Sequence, residues 1–468
     1  MKNIVAEIVE VLKSSKDTIE LEQRVHKKLG EFSCEILSKA LGLLDNELWR
    51  EYQQQGARSC RRDDRTLVTS YGEVKIKRRL LKLEDGHSFY ALDQEMGFMK
   101  RQRMSPYLQY CVAQIASKSS YRATAKAVDV LTNASLSHAQ VGNILKTVGK
   151  AYKAYEQTQL EHEVPIDAKL KRPKVLRIEG DAVEIKGRHG KRKSLHRFQI
   201  AEGVEQSGKR HRLTDTHCVS SLNHAEAVRQ IKGYLEQNYD LSETVVLSNS
   251  DGGPGYGKEV FDEILGATGA HEHFRDSYHV NEKCKQRLNF VTKDIVADLQ
   301  RKIWQYDEEG VHTLLDTAES LAEDTTQLEQ VKRLGAYLKR NWKYLKPLSM
   351  RKTGIRVKGL GACESNHRLY SYRMKKQGRI WSEAGAEAIA KIITGQRNGD
   401  LARAMSQHKE GYARKPSREY KDAVRNALKK LKAIPHIGAQ MGRIAMNCPS
   451  SSAIGRLSQS ISFCGINI

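Results

Sequence analysis

Over the first 55 residues apolar side chains return at helical spacing. Ile4, Ile8, Val11 and Leu12 form one stripe and Leu37, Leu41, Leu44 and Leu48 another, which predicts a helical arm over residues 1–60. The period then shortens to two. Thr66-Leu67-Val68-Thr69 and Val74 to Leu80 flank Tyr71-Gly72-Glu73, so residues 61–104 read as a β-hairpin region. Val74 and Ile76 alternate with Lys75 and Lys77, leaving one strand face basic; such a face suits a phosphate backbone as well as it suits water. Residues 105–160 return to helix, with one helix over 120–131, a turn at Thr132-Asn133-Ala134, and a second helix capped by Ser137 and running through Val148. Helix, short turn and capped helix describes both a helix-turn-helix and an ordinary helical hairpin. On the first reading Ser137, His138, Gln140 and Asn143 stand where base-edge contacts are made.

Residues 161–173 are polar, hold two prolines and read as a linker. Beyond them, residues 174–280 predict strands at 175–178, 197–201, 217–220, 244–247 and 271–275, with helices at 223–236 and 256–265. Three strands, helix, strand, helix, strand is the order of an α/β layered domain with a mixed sheet. Residues 281–350 revert to helical patterning, with Trp304, Trp342 and Tyr344 as core anchors. They interrupt the α/β domain, because acid-bearing sequence resumes over 351–400, where an alanine-rich helix covers 381–393. The tail, 401–468, carries 12 Lys and Arg against 3 Asp and Glu.

Charge changes this picture more than composition does. At 468 residues, 39% of them hydrophobic, the chain can bury two or three cores. Its formal charge of +23 implies a polyanionic partner, for which nucleic acid is the usual candidate. No apolar run approaches the ~18 residues of a membrane span, and the amphipathic start with Glu7 and Glu10 is unlike a signal peptide. Eight cysteines without a C-x-x-C pair read as reduced thiols, so a cytoplasmic location without membrane attachment is expected.

Acidic residues in so basic a chain are the candidates for chemistry. Asp181 ends the β-branched stretch that begins at Arg177, and Asp251 follows the apolar strand Thr244-Val245-Val246-Leu247. Carboxylates brought together from separate elements can hold divalent cations against a phosphodiester; singly, each is also an ordinary turn former or cap. Glu364 is the single acid among nine Lys and Arg in residues 351–380, either a structural ion pair or a metal ligand among cations that hold DNA. Glu383 and Glu387, on the next helix, compete with it. Gly252-Gly253-Pro254-Gly255-Tyr256-Gly257-Lys258-Glu259 nearly spells a P-loop, but Glu259 replaces the hydroxyl and Pro254 removes a donor, so no nucleotide cofactor is expected. His271, His273, His279 and Cys284 lack the spacing of a zinc site.

Four motifs in order carry a resemblance: Ile178-Glu179-Gly180-Asp181, Asn249-Ser250-Asp251-Gly252, Phe274-Arg275-Asp276-Ser277-Tyr278-His279 and Cys363-Glu364-Ser365-Asn366-His367. With Tyr71-Gly72-Glu73-Val74 and Ile380-Trp381-Ser382, they make the chain resemble bacterial insertion-sequence transposases of the ISLre type, related to mutator-like DDE transposases. The resemblance covers about residues 60 to 395. It implies a ribonuclease-H-like catalytic domain with an all-helical insertion, preceded by a helical and β-hairpin DNA-binding region. It further implies catalytic and metal-binding roles for Asp181, Asp251 and Glu364, with two Mg²⁺ or Mn²⁺ ions. DNA contacts are expected from Lys186, Arg188, Lys191, Arg192, Lys193, His279, His367, Arg368 and Arg373, besides Ser137, Gln140 and Asn143. The partners would be double-stranded DNA, as terminal inverted repeats and as target, and a second copy of the chain, since two ends are joined. Ala182 and Gly253-Pro254-Gly255 depart from the family's pattern after each aspartate. A ribonuclease-H-like nuclease without strand transfer, and a non-catalytic DNA-binding descendant of a transposase, are the alternatives.

Overall fold

A computed structural model describes residues 2–161, 169–207, 210–351, 353, 355 and 363–410. Helices α1 (Lys2–Ser14) and α2 (Thr18–Gln54) form the arm, and Asp17 caps α2 by accepting from the Glu20 amide at 2.8 Å. The leucine stripe of α2 lies on a hairpin of β1 (Arg58–Thr69) and β2 (Gly72–Lys82), where it covers Leu67, Val74 and Ile76. A short β3 (Ser88–Phe89) and helix α3 (Ala91–Met96) close this unit. The hairpin starts well before the expected Thr66. Its first half, Arg58 to Asp64, carries no apolar alternation and is defined by pairing with β2 alone.

Three helices follow: α4 (Pro106–Ala116), α5 (Tyr121–Leu131) and α6 (His138–Glu161). Helix α6 is a turn-capped helix as expected but runs on past Val148. The reason is tertiary: Val141, Leu145, Val148, Tyr152 and Tyr155 are buried along its length.

The central sheet contains β4 (Val175–Lys186), β5 (Arg192–Ser207), β6 (Arg210–Ser221), β7 (Val245–Ser250) and β8 (Ala270–Arg275), in the order β6-β5-β4-β7-β8. The first three form an antiparallel meander, whereas β7 and β8 run parallel to β4. A mixed sheet was expected, and all five predicted strands are present, though β4, β5 and β6 are longer than their apolar centres. Helices α7 (His224–Asn238) and α8 (Lys258–Leu265) cover one face, on Leu176, Ile178, Phe198, Ile200 and Val246.

The helical block consists of α9 (Ser277–Arg287), α10 (Lys293–Gln305), α11 (Glu308–Ser320) and α12 (Thr325–Leu345), with its own core of Val280, Leu299, Ile303, Leu334 and Leu338. Helices α13 (Cys363–Met374), α14 (Glu383–Asn398) and α15 (Leu401–Glu410) then return to the other face of the sheet. That face is divided along β4. Val183, Ile185 and Leu195 join one core with Tyr370, Trp381 and Ile389, whereas Arg177, Glu179, Arg197 and Gln199 are polar and buried. The same core takes in Leu108, Val128, Leu145 and Tyr152. Thus α4–α6 pack as part of the sheet domain rather than as a separate module. At the closest approach a Cβ added to Gly149 of α6 would lie 2.5 Å from Ala388 Cα in α14, a contact only glycine permits. Among the described residues no helix is long and apolar enough to cross a membrane.

Candidate active site

Parallel pairing of β4 with β7 ends at Gly180 and Ser250. One residue further on stand Asp181, still within β4, and Asp251, the first residue past the end of β7; the charges of both act on His279 of α9. Asp181 is not at the end of its strand, as the sequence suggested; β4 continues to Lys186 on β5 alone. The aspartate sits where β4 loses its parallel neighbour, and its side chain is 15% exposed.

Each aspartate is held from its own backbone. Asp181 Oδ1 accepts from the Ala182 amide at 2.6 Å, and Asp251 Oδ1 accepts from the Gly253 amide at 2.7 Å. Beneath Asp181, the Tyr256 hydroxyl donates to its carbonyl oxygen at 3.1 Å and lies 2.8 Å from His196 Nδ1. A Cβ on Gly180 would meet Phe198 at 2.7 Å and Tyr256 at 3.0 Å, so the glycine before Asp181 is a packing requirement. Gly252, after Asp251, has φ +75° and lies against the Arg275 guanidinium. Arg275 donates to Ser250 Oγ at 3.1 Å and to Asn341 Oδ1 of α12 at 2.7 Å. The loop that carries Asp251 is therefore tied to the last helix of the helical block.

Helix α9 carries two groups, His279 and Lys283, that feel the charges of this pair. Its cap Asp276 accepts from the Tyr278 and His279 amides at 2.9 and 3.2 Å, and Asn249 steadies the cap with a 3.1 Å bond. His279 Nε2 then lies 3.9 Å from Asp181 Oδ2. The neighbouring Asp181 carboxylate, aided by the charges of Asp276 and Asp251, raises the imidazole pKa against the effect of burial. One turn later Lys283 stacks over the Tyr337 ring at 4.1 Å. Burial lowers its pKa, and the Asp251 charge opposes that shift. Lys283, Arg275 and Tyr256 were not singled out from sequence. The i, i+4 spacing of His279 and Lys283 just after an acid-capped start was the available signal.

Glu364 is the second residue of α13, and that helix packs across β4. Tyr370 of α13 lies under the Arg197 guanidinium at 4.2 Å, and Arg197 is the cross-strand partner of Asp181. The side chains of Glu364 and His367 lie outside the described residues. Among the described residues no three His, Cys, Asp or Glu side chains form a metal-binding group. Asp181 and Asp251 offer carboxylate oxygens suited to a hard divalent cation. The competing acids have structural partners: Glu383 pairs with Lys193 at 2.8 Å, and Glu387 accepts from the Leu222 amide at 3.0 Å.

The other expected DNA contacts scatter. Lys186, Arg188, Lys191 and Arg192 are exposed around the β4–β5 turn, ~20 Å along the strand from Asp181. Lys193 is engaged by Glu383, and Arg368 is exposed on α13. Arg373 must be withdrawn as a phosphate contact. It is 1% exposed, donates to the Ala116 carbonyl at 2.7 Å and lies over the Trp381 ring. Ser137 and Gln140 cap each other across the first turn of α6, with bonds of 3.2 and 2.7 Å to the opposite amide. Asn143 is exposed on the same helix. His271 and His273 share the Ser248 hydroxyl at 2.6 and 2.7 Å, while Cys284 is buried in the helical block.

Comparison with known proteins follows the whole architecture. The chain is 36% identical over 456 residues to a Streptococcus gallolyticus protein named "UPF0236 protein in vanSb 3'region", covering 97% of this chain and 99% of that one. Two proteins of Caldanaerobacter subterraneus subsp. tengcongensis are each 23% identical, over 431 and 445 residues, covering 89% and 90% of this chain and 86% and 90% of their own. The name of the first of these joins eleven locus designations. Residues 13–410 match the family described as "Uncharacterised protein family (UPF0236)", and the chain belongs to that family.

Proposed function

We propose that this chain is a DDE-type DNA transposase, which cuts DNA at the ends of an insertion sequence and joins them to a target by metal-dependent phosphoryl transfer. The observation that carries the reading is that Asp181 and Asp251 each directly follow the last residue pair of the parallel β4–β7 ladder, with both charges acting on His279. The sheet around them, an antiparallel meander continued by two parallel strands in the order β6-β5-β4-β7-β8, supports a ribonuclease-H-like domain. The helical block between β8 and α13 occupies the place expected of an insertion before the last acid. The relative whose name joins eleven loci of one organism favours a mobile element over a housekeeping nuclease.

In this reading Asp181 and Asp251, joined by Glu364, would hold two Mg²⁺ or Mn²⁺ ions, which when bound would supply Lewis acidity to the phosphoryl transfer. The chain's own groups hold the substrate. His279, charged more readily beside Asp181, and Lys283 one turn on face the phosphodiester. Arg275 keeps the Asp251 loop in register by standing under Gly252. The +23 charge draws the duplex in and makes binding strongly salt-dependent. Joining two ends calls for two copies of the chain.

The test is cleavage and joining of a labelled duplex bearing the flanks of the coding region, with and without Mg²⁺. Breaks at both ends and joined products are expected, with Asp181→Asn and Asp251→Asn abolishing both while duplex binding and melting temperature hold. Cleavage with no joined product would favour a nuclease. Binding with no cleavage by the unmodified chain would refute the enzyme.

A further inference from the structure

The strap between α3 and α4 and the exposed face of α6 enclose a cleft of about 600 Å³. Its lining includes three cations (Lys100, Arg101, Arg103) and, from α6, Gln140, Asn143 and Thr147, with no Asp or Glu among the lining residues. A second depression shares Arg101, Arg103 and Gln140 and continues toward Thr66, Arg78 and a single acid, Glu73, of the hairpin. Cations beside side-chain amides are the chemistry of phosphates beside base edges.

The strap is built to hold that arrangement. Arg65, 8% exposed, pairs with Asp93 at 2.8 Å and donates to the carbonyls of Met99 and Gln102 at 3.0 and 2.7 Å. Gln102 is turned inward, accepting from the Met99 amide at 2.9 Å and donating to the Met104 carbonyl at 2.7 Å. Val68 of β1 donates to the Arg103 carbonyl at 2.7 Å and accepts from the Ser105 amide at 2.9 Å. Arg101 itself has φ +61°, a left-handed conformation that a non-glycine residue keeps only when its surroundings impose it. Lys100, Arg101 and Arg103 are all exposed on this clamped strap.

We propose that this cleft is the sequence-reading site for duplex DNA: Lys100, Arg101 and Arg103 grip one strand's phosphates and Asn143 meets base edges. The proposal rests on the DNA partner of the transposase reading and not on its chemistry. It moves base recognition away from Ser137 and Gln140, which cap each other, to the second turn of α6.

Binding of the full chain to a labelled mixed-sequence duplex of about 30 base pairs, without divalent metal, tests it across a salt series. Replacing Lys100, Arg101 and Arg103 together by alanine is expected to flatten the slope of log K against log salt by about 3, near 0.9 for each phosphate released. Selection from a randomised duplex pool should enrich one sequence with the unmodified chain and a relaxed one with Asn143→Ala. Unchanged salt slope in the triple variant, the same enriched sequence in Asn143→Ala, or tighter binding to duplex RNA would each overturn the proposal. The metal-dependent cleavage assay is run alongside on the unmodified chain and the triple variant: an unchanged salt slope with cleavage intact fails the cleft alone, whereas a flattened slope with no cleavage by the unmodified chain fails the catalytic assignment alone.

Discussion

Removing Lys391 tests how α6, α7 and α14 are held together. Its ammonium is fully buried, 2.6 Å from Glu156 Oε2 of α6 and 3.1 Å from Gln230 Oε1 of α7. Glu226 and Glu387 add negative charge nearby, with Lys153 between them at 2.8 and 3.8 Å. Burial pushes the Glu156 carboxyl up from 4.5 to about 7, although Lys391 pulls it down and the two other glutamates push with burial. Lys391→Met strands the Glu156 carboxylate, and breaking a buried pair in this way costs about 3–5 kcal/mol. The cost must depend on pH, because Glu156 can escape by taking a proton. It is largest at pH 8, where the carboxyl is ionised, and falls towards the worth of a hydrogen bond, about 1 kcal/mol, at pH 5. Adding Glu156→Gln to the variant should recover most of the loss at pH 8. The unmodified chain carries the same linkage with a known sign. A folded pKa above the unfolded one favours folding below about pH 4.5, and that contribution is lost as pH rises through about 7. Relative to Glu156→Gln, stability should fall by about 1.4 kcal/mol per pH unit across that window. Urea unfolding followed by circular dichroism at pH 5, 7 and 8 provides the measurement. A Lys391→Met loss within about 0.5 kcal/mol at pH 8, the size of a surface change, would refute the reasoning, as would no recovery in the double variant.

Two further expectations concern the Asp251 loop and the acid limit of stability. Gly252→Ala forces a side chain onto the Arg275 guanidinium at φ +75°, so cleavage by the proposed activity should fall sharply while the far-ultraviolet spectrum is retained; full activity would show that the Asp251 loop does not depend on that contact. His217 stacks face to face on Tyr234, with centroids 3.5 Å apart, and burial pulls its pKa down to about 3. Its contribution is present above pH 6.5 and is lost as pH falls towards 3, by about 1.4 kcal/mol per unit. His217→Phe keeps the stack and should make the acid limb of an unfolding-against-pH curve less steep by that amount; an unchanged limb would count against a neutral, half-buried His217.

What the sequence determined by itself was local and periodic. The leucine stripe of α2, the alternation of Val74 and Ile76, and the apolar run before Asp251 specify their elements because each buries one face at a fixed period. The same patterning put Asp181 and Asp251 beside strands before any sheet was known. Pairing decided the rest. The outer halves of β5 and β6, beyond Ala201 and before Thr216, carry no core pattern and are strands because they bond to each other. Asp181 and Asp251 come to follow the same end of the β4–β7 ladder only through its register, which links residues 70 positions apart. Helix α6 outruns its expected end because α14 needs its second half as a packing surface, and no local signal in α6 announces α14. Arg373 shows the limit most plainly: its neighbours in sequence are basic and DNA-like, whereas its neighbours in space are the Ala116 carbonyl and the ring of Trp381. Charge is visible residue by residue, but whether it faces solvent is settled by elements hundreds of residues away.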